Sequence, residues 1–310
     1  MNRPSVSVVI PAYNASATIA RAVDSCLSQT VRPFEVIVID DGSTDDLAAV
    51  LKSYGSDVKL IHQQNARTAA ARNRGLESAQ GEFVAFLDAD DYWEPEKLQR
   101  QLDVIDEHPS VSVVSGRFYS EFPGEERCLL PLRSSRRYDR PMTPRGSEAF
   151  MVGTLIWTGM VLVRRSAIGE QRFVSGLEPA EDRDFWIRLA ADNDVYLMSD
   201  PLATAVEIPN SLSRSSIAVD CGRMLEVVQR HRAILSPAAR FYWKAYVYYR
   251  WASMESSPAA ALPMLLRSFI GWPFPLTAMP AMKRLGRIKR FVVLMRQLLQ
   301  SVLVQSRVSS

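Results

Sequence analysis

The sequence predicts an α/β fold built on a doubly wound, mostly parallel sheet flanked by helices. Three observations carry that prediction. Short continuous apolar runs alternate with segments whose apolar residues recur every three or four positions, the order expected of strand–helix–strand units. The runs are apolar throughout rather than alternating, as strands buried on both faces are. Two of them stop abruptly at carboxylates, so the chain must reach a surface or cleft there to avoid burying charge.

Ser5-Val6-Ser7-Val8-Val9-Ile10 reads as the first strand, stopped by Pro11, and Ala12-Tyr13-Asn14-Ala15 as a loop. A helix opening at Ser16 or Ala17 has apolar positions 19, 22, 23, 26 and 27 on one face. Pro33 resets the chain, and Glu35–Ile39 forms a second strand that runs into Asp40-Asp41-Gly42-Ser43-Thr44-Asp45-Asp46. Gly42 permits the turn, and Ser43 or Thr44 can cap a helix through Leu51. Val58–Ile61 is a third strand, and a helix from Thr68 to Ala79 is ended by Gly81.

Phe83–Leu87 is the fourth and central strand, and it ends in Asp88, Asp90 and Asp91. In open α/β sheets ligands collect at the carboxyl ends of strands. An Asp-x-Asp turn suits a hard divalent cation, which takes one or two carboxylates and completes its shell with water and phosphates. A solvated acidic turn leading into the helix begun by Pro95 and Glu96 is the plainer alternative. That helix runs to about Glu107, and Val111–Val114 is a strand. Leu155–Val163 reads as another strand, and a helix begins at Glu181 with Phe185, Trp186 and Leu189 on one face. Residues 119–147 are polar and rich in Pro and Arg (Arg133, Arg136, Arg137, Arg140). They are expected to form a mobile loop over a site.

Composition sets the outer bounds. With 47% hydrophobic and 23% charged residues, the 310-residue chain can bury a large core and has room for two domains. Cys26, Cys128 and Cys221, with His62, His108 and His231, give neither a disulfide framework nor zinc spacing. The first turn lacks G-x-G-x-x-G and G-x-x-x-x-G-K-[ST], which argues against a dinucleotide dehydrogenase or a P-loop enzyme. No signal-peptide pattern precedes the first strand, and no run reaches the roughly 18 apolar residues of a spanning helix.

The charge is divided unevenly: residues 1–220 hold 23 Lys/Arg against 32 Asp/Glu, and residues 221–310 hold 14 against two. From about Asp220 the chain turns helical and basic, which places domains at 1–215 and 216–310. In the last helix Met282, Leu285, Ile288, Val292, Met295, Leu299 and Val302 form an apolar stripe. Lys283, Arg284, Arg287, Lys289, Arg290 and Arg296 cover much of the remainder. Such a helix either lies in a membrane interface with its cations on anionic headgroups or packs on its own protein with the cations solvated.

Taken together, residues 5–215 resemble a family 2 glycosyltransferase of the GT-A fold, inverting and of the bacterial polysaccharide type. The resemblance rests on Val8–Asn14, Ser28-Gln29-Thr30, Glu35–Asp45, Ala71-Arg72-Asn73-Arg74-Gly75-Leu76, Gly81–Trp93 and Glu181-Asp182 with Trp186-Ile187-Arg188, in that order. It implies a nucleotide-diphosphate sugar donor, UDP first with dTDP or GDP as alternatives, and a divalent cation, Mg²⁺ or Mn²⁺, on the diphosphate. By the resemblance Asp90 is the metal ligand, and Asp88 and Ala89 border the ribose and diphosphate. Asp41 bonds the base, framed by Pro11, Ala12 and Tyr13, and Asp182 is the catalytic base. Arg67 and Arg72 lie near the donor, although Arg72 can equally be a structural partner for Asp40 or Asp88.

The same resemblance implies a glycan or lipid-linked acceptor, cell-surface polysaccharide synthesis, and a cytoplasmic protein peripheral to the inner face of the membrane. No nucleic-acid-binding module is present. Trp157 and Trp186 can stack on sugars or fill the core. Two departures stand out: Asn65-Ala66-Arg67 replaces the family's Asn-x-Gly, and Val206–Asn210 carries neither the Arg nor the His usual before Ser211-Leu212-Ser213. Two other readings remain. One is a non-catalytic glycan-binding or scaffold protein on this fold. The other, a sugar-phosphate nucleotidyltransferase, would need a Gly- and Arg-rich first loop.

Overall fold

The computed structural model describes residues 4–122, 124–130, 137–207, 216–274 and 286–308, with side chains up to Gln300. The chain divides into two compact units, Met1–Pro209 and Asn210–Ser310. This division and the boundary expected at 215 both fall at residues 208–215, outside the described residues.

The first unit opens with β1 (Val6–Ala12), α1 (Ile19–Leu27), β2 (Glu35–Asp40), α2 (Leu47–Lys52), β3 (Val58–His62), α3 (Arg67–Ser78) and β4 (Phe83–Phe86). It continues through β5 (Tyr92–Trp93), α4 (Lys97–Glu107), β6 (Val111–Gly116), β7 (Phe118–Glu121), β8 (Cys128–Leu130) and β9 (Pro141–Met142). It ends with α5 (Ser147–Gly153), β10 (Leu162–Arg164), α6 (Arg165–Ile168), α7 (Glu181–Asp192), β11 (Asp194–Met198) and β12 (Ala203–Val206). Eight strands form the main sheet in the order β3-β2-β1-β4-β10-β6-β11-β9. β3, β2, β1 and β4 run parallel, as do β6 and β11, while β10 lies antiparallel between β4 and β6.

Strand alternation sends successive side chains to opposite faces. Val8, Ile10, Val36, Val38, Phe83 and Ala85 enter one apolar core with α1 and α4. Val9, Ile37, Ile39, Val84 and Phe86 enter a second core with α3 and α7. Helices on both faces explain why the strands read as unbroken apolar runs. Helix α3 lies close to the sheet because it is small on that side. A Cβ placed on Gly75 would sit 2.2 Å from Val9 Cγ1.

Two expectations are corrected. The apolar run 155–163 is a strand only from Leu162; Thr158–Met160 is a 3₁₀ turn. The turn frees a carbonyl and a hydroxyl for two buried indoles: Trp93 Nε1 donates to Gly159 O at 2.7 Å, and Trp186 Nε1 to Thr158 Oγ1 at 3.0 Å. An extended run would leave both N–H groups without these acceptors. Residues 119–147, expected as one loop, contain β7 and β8, which join β5 and β12 in a second sheet of order β5-β12-β7-β8. Arg133 and Arg136 lie outside the described residues.

The second unit is helical: α8 (Ile217–Arg230), α9 (Pro237–Met254), α10 (Pro258–Gly271) and α11 (Gly286–Val308). Ser216, Ser236 and Ser257 each accept a backbone N–H at the start of α8, α9 and α10. Two arginines of α11 finish the other ends. Arg287 Nη1 donates to Ser268 O at 2.9 Å and Trp272 O at 2.6 Å, and Arg290 donates to Ala252 O at 2.9 Å and Glu255 O at 3.1 Å. All four carbonyls lie in the last turn or the C-cap of α9 and α10, where a helix runs short of backbone donors; Ser268 O also accepts from Trp272 N at 3.2 Å.

Candidate functional site

The carboxyl ends of β1, β2 and β4 lie side by side, and the candidate residues follow directly from them. Pro11 and Ala12 close β1 and are buried, and Tyr13 beyond them is 51% exposed. Asp41 N donates to Ala12 O at 2.9 Å, which brings the second aspartate cluster against the first loop. Gly42, at φ 78°, turns the chain there, and its Cβ position lies 2.9 Å from Asn65 N. Neither the left-handed conformation nor the space admits a larger residue.

Asp41 is already engaged. Its Oδ1 accepts from Gln63 Nε2 at 2.7 Å and Ala66 N at 2.8 Å, and its Oδ2 from Arg67 N at 2.8 Å. The carboxylate therefore serves as a remote cap for α3, taking up N–H groups that the helix start leaves free. With about four lone-pair sites, it retains capacity for one further donor. Arg67 itself has φ 72°, the left-handed region that favours glycine, and its side chain is exposed. The position where the resembling family has glycine thus keeps a glycine-like backbone while carrying a guanidinium.

The turn after β4 is organised by Arg72. This guanidinium, 5% exposed, donates from Nη2 to Asp88 Oδ1 at 2.8 Å and from Nη1 to Glu181 Oε1 at 2.9 Å. Of the two partners left open by sequence, Asp88 is the one found. Asp40 pairs instead with His62 Nδ1 at 2.9 Å. Glu181 is the first residue of α7 and Asp182 the second, so the arginine fixes the start of that helix beside the β4 turn. Asp182 Oδ1 accepts from Arg183 N at 2.7 Å, and its Oδ2 lies 3.5 Å from Thr158 Oγ1. Ala89 is buried, and the Asp90 carbonyl accepts from Arg21 Nη2, whose guanidinium also lies 5.1 Å from the Tyr92 ring centroid.

Charge is crowded here. Burial and then Asp88 push the Asp90 carboxyl up to about 6, and burial with Asp88 and Asp90 holds Asp91 well above the usual carboxylate range. Burial pushes Glu181 up to about 7 against the opposing pull of Arg72, with Asp182 adding to the rise. Burial alone would lower Arg72, but Asp88, Glu181 and Asp182 outweigh it and hold it above its ordinary value. A carboxylate raised this far, by burial first and by Asp88 second, fits a hard divalent cation, whose charge would offset both. Among the described residues, no three His, Cys, Asp or Glu side chains are placed to hold a metal. Any such ion would therefore draw the rest of its shell from water and phosphate.

Sequence reasoning missed three contributors. Asp91 turns inward, accepting Val206 N at 2.8 Å and so tying β12 to the acidic turn. Glu181 reads from sequence as a helix-start acid, yet it is 5% exposed and paired. Arg21 gave no signal, since its partner is a backbone carbonyl 69 residues away. Of the two tryptophans, Trp186 is fully buried against Phe86 and Phe185, and Trp157 stacks on Phe118 at 4.3 Å between centroids. Ser211–Ser213 lie outside the described residues.

Comparison with known proteins agrees with this architecture. A putative teichuronic acid biosynthesis glycosyltransferase, TuaG, of Bacillus subtilis is 43% identical over 219 residues, covering 68% of this chain and 82% of that protein. The first three curated relatives are matched over 61%, 67% and 82% of their own lengths. Among solved structures, Staphylococcus aureus TarS 1–349 with UDP-GlcNAc superposes with a TM-score of 0.62 at 19% identity, covering 86% of this chain and 89% of that one. The mannosyltransferase PcManGT of Pyrobaculum calidifontis, with GDP-Man and Mn²⁺, gives 0.58 at 18%, covering 95% and 88%. These two share the fold, a GT-A α/β sheet with flanking helices. Residues 7–171 match the Glycosyl transferase family 2 profile, and with more than half of the chain inside that match, it belongs to glycosyltransferase family 2.

Proposed function

We propose that this chain transfers a sugar, with inversion, from a nucleotide-diphosphate sugar to a hydroxyl of a glycan or lipid-linked acceptor in polysaccharide synthesis. The observation that carries the reading is the Arg72 bridge, which puts Asp88 of the donor-side turn and the Glu181-Asp182 start of α7 into one cluster. TarS with UDP-GlcNAc and PcManGT with GDP-Man and Mn²⁺ support a nucleotide-sugar donor of this class.

In this mechanism the base sits at the end of β2, where Asp41 keeps one acceptor position open and Tyr13 offers a ring face. Asp90 would hold a divalent cation, with Asp88 bordering the ribose and diphosphate, and when bound the cation neutralises the leaving diphosphate. The acceptor oxygen attacks the anomeric carbon while the bond from that carbon to the diphosphate oxygen breaks. Asp182 takes the hydroxyl proton on its carboxylate. Glu181, held by Arg72, does not move that proton; it orients the first turn of α7.

Calorimetry of UDP, dTDP and GDP with and without Mn²⁺ tests the donor site, with metal-dependent binding of one nucleotide lost in Asp90→Ala as the expected result. Asp182→Asn should keep nucleotide binding and lower kcat by about 10²–10⁴-fold. Full turnover in that variant would remove Asp182 from the reaction. Absence of all nucleotide binding would favour the scaffold reading.

A further inference from the structure

Helix α11 wears its apolar stripe on the outside. Ile288, Phe291, Val292, Met295 and Leu299 are between 36% and 60% exposed, whereas Leu294 is fully buried with Ala252, Ala261 and Leu265 of α9 and α10. At about 100° per residue, the five exposed side chains fall within an arc of about 100°. Lys289 and Arg296, both exposed, run along one edge of that arc. Arg287 and Arg290 face inward, where they bind the ends of α10 and α9.

Two kinds of occupant suit the stripe. The steps from 288 to 292, 295 and 299 are those of a coiled-coil seam with a second copy, and the same arc suits a helix lying in a lipid interface. Charge separates them. Residues 286–308 contain Arg287, Lys289, Arg290, Arg296 and Arg307 and no Asp or Glu. A second copy would bring like charges beside the seam with no acid to pair them, whereas an anionic bilayer attracts each cation near its surface. Phe291 also widens the arc beyond a two-position seam. Among the described residues, no helix is long and apolar enough to cross a membrane, which leaves the in-plane arrangement.

We propose that α11 docks the protein on an anionic lipid bilayer. Ile288, Val292, Met295 and Leu299 lie at the boundary of headgroups and acyl chains, and Lys289 and Arg296 lie on lipid phosphates. The inference uses no residue of the candidate site and stands apart from the transfer reaction.

The test is co-sedimentation of the full chain with phosphatidylcholine vesicles, with and without phosphatidylglycerol, beside light scattering of the protein alone. Wild type should bind the phosphatidylglycerol vesicles at least about ten-fold more tightly than the neutral ones, and raised salt should weaken that binding. Ile288→Ser with Leu299→Ser should lower binding at least about ten-fold while the helical circular dichroism and melting temperature stay put. Asp182→Asn should lose turnover and keep vesicle binding, so a failure of either reading is seen separately. Equal binding by the stripe variant, or none by wild type, would overturn the proposal. A wild-type dimer made monomeric by the stripe variant would assign the face to a second copy and overturn it too.

Discussion

In the α/β unit the buried Arg72 meets two carboxylates, Asp88 and Glu181. In the helical unit the buried Arg287 donates to the carbonyls of Ser268, Trp272 and Phe274. Burial opposes the charge in both, yet the outcomes differ: Arg72 is held above its ordinary value, and Arg287 is pulled below it. Full opposite charges overcome desolvation, and peptide dipoles only offset part of it. Arg72 is thus an electrostatic keystone whose removal strands carboxylates, while Arg287 is a clasp whose removal returns carbonyls toward water.

That difference is open to test, most severely at Arg72. Arg72→Met should cost about 3–5 kcal/mol of stability in urea denaturation, because Glu181 is left buried and unpaired. Adding Glu181→Met should recover much of the loss, and no recovery would mean that the arginine acts through packing. Arg287→Met should cost less, about 1.5–3 kcal/mol by the same measurement, the range for hydrogen bonds from a charged group. A loss equal to that at Arg72 would erase the distinction.

Lys97 extends the series to a cation with weaker partners still. Its Nζ donates to Gln101 Oε1 at 2.8 Å and Val161 O at 3.3 Å and lies 3.9 Å from the Trp93 ring centroid. Burial pulls it down to about 7 from an ordinary 10.5, against a smaller raising effect of Cys26. Below pH 7 folded and unfolded chains are both protonated there, and the full cost of the buried ammonium is present. As pH rises from about 7 toward 10 the folded state gives up its proton first, so stability grows. Melting temperatures of wild type minus Lys97→Met should therefore climb over that interval, and a flat difference would show the amine to be charged throughout.

The smallest effect is expected at Arg67. Arg67→Gly should stabilise the protein by roughly 1 kcal/mol through relief of the left-handed backbone, seen as a raised melting point, while nucleotide binding weakens. Unchanged nucleotide binding would make the guanidinium a bystander.

The α/β unit was legible because its strands are apolar on both faces and break at acids, as at Ile39-Asp40 and Leu87-Asp88. Pattern fails where one apolar run can serve two geometries. Residues 155–161 are as apolar as a strand, and only the needs of Trp93 and Trp186, far off in sequence, require the turn. Asp41 was legible as a residue at a strand end, but its three donors on Gln63, Ala66 and Arg67 depend on how β3 and α3 return to it. In α11 periodicity put Ile288, Val292, Met295 and Leu299 on one face, with Met282, Leu285 and the Val302 side chain outside the described residues. It could not say which way that face turned, since Arg287 and Arg290 read as surface charges until their carbonyl partners are seen. Residues 119–147 look like a loop because β7 and β8 are only four and three residues long, and the pairing of β7 with β12 that anchors them is not local.

Arg72 also sets an order of events during synthesis. Its two partners lie 16 and 109 residues further along the chain. At about 5–20 residues per second, Asp88 follows Arg72 from the ribosome within a few seconds, and Glu181 emerges roughly 5–20 s after Arg72. In that interval the arginine has Asp88 as its one partner, and its Nη1 lacks the carboxylate that Glu181 later supplies. The acidic turn and the start of α7 then become fixed together, in one late step.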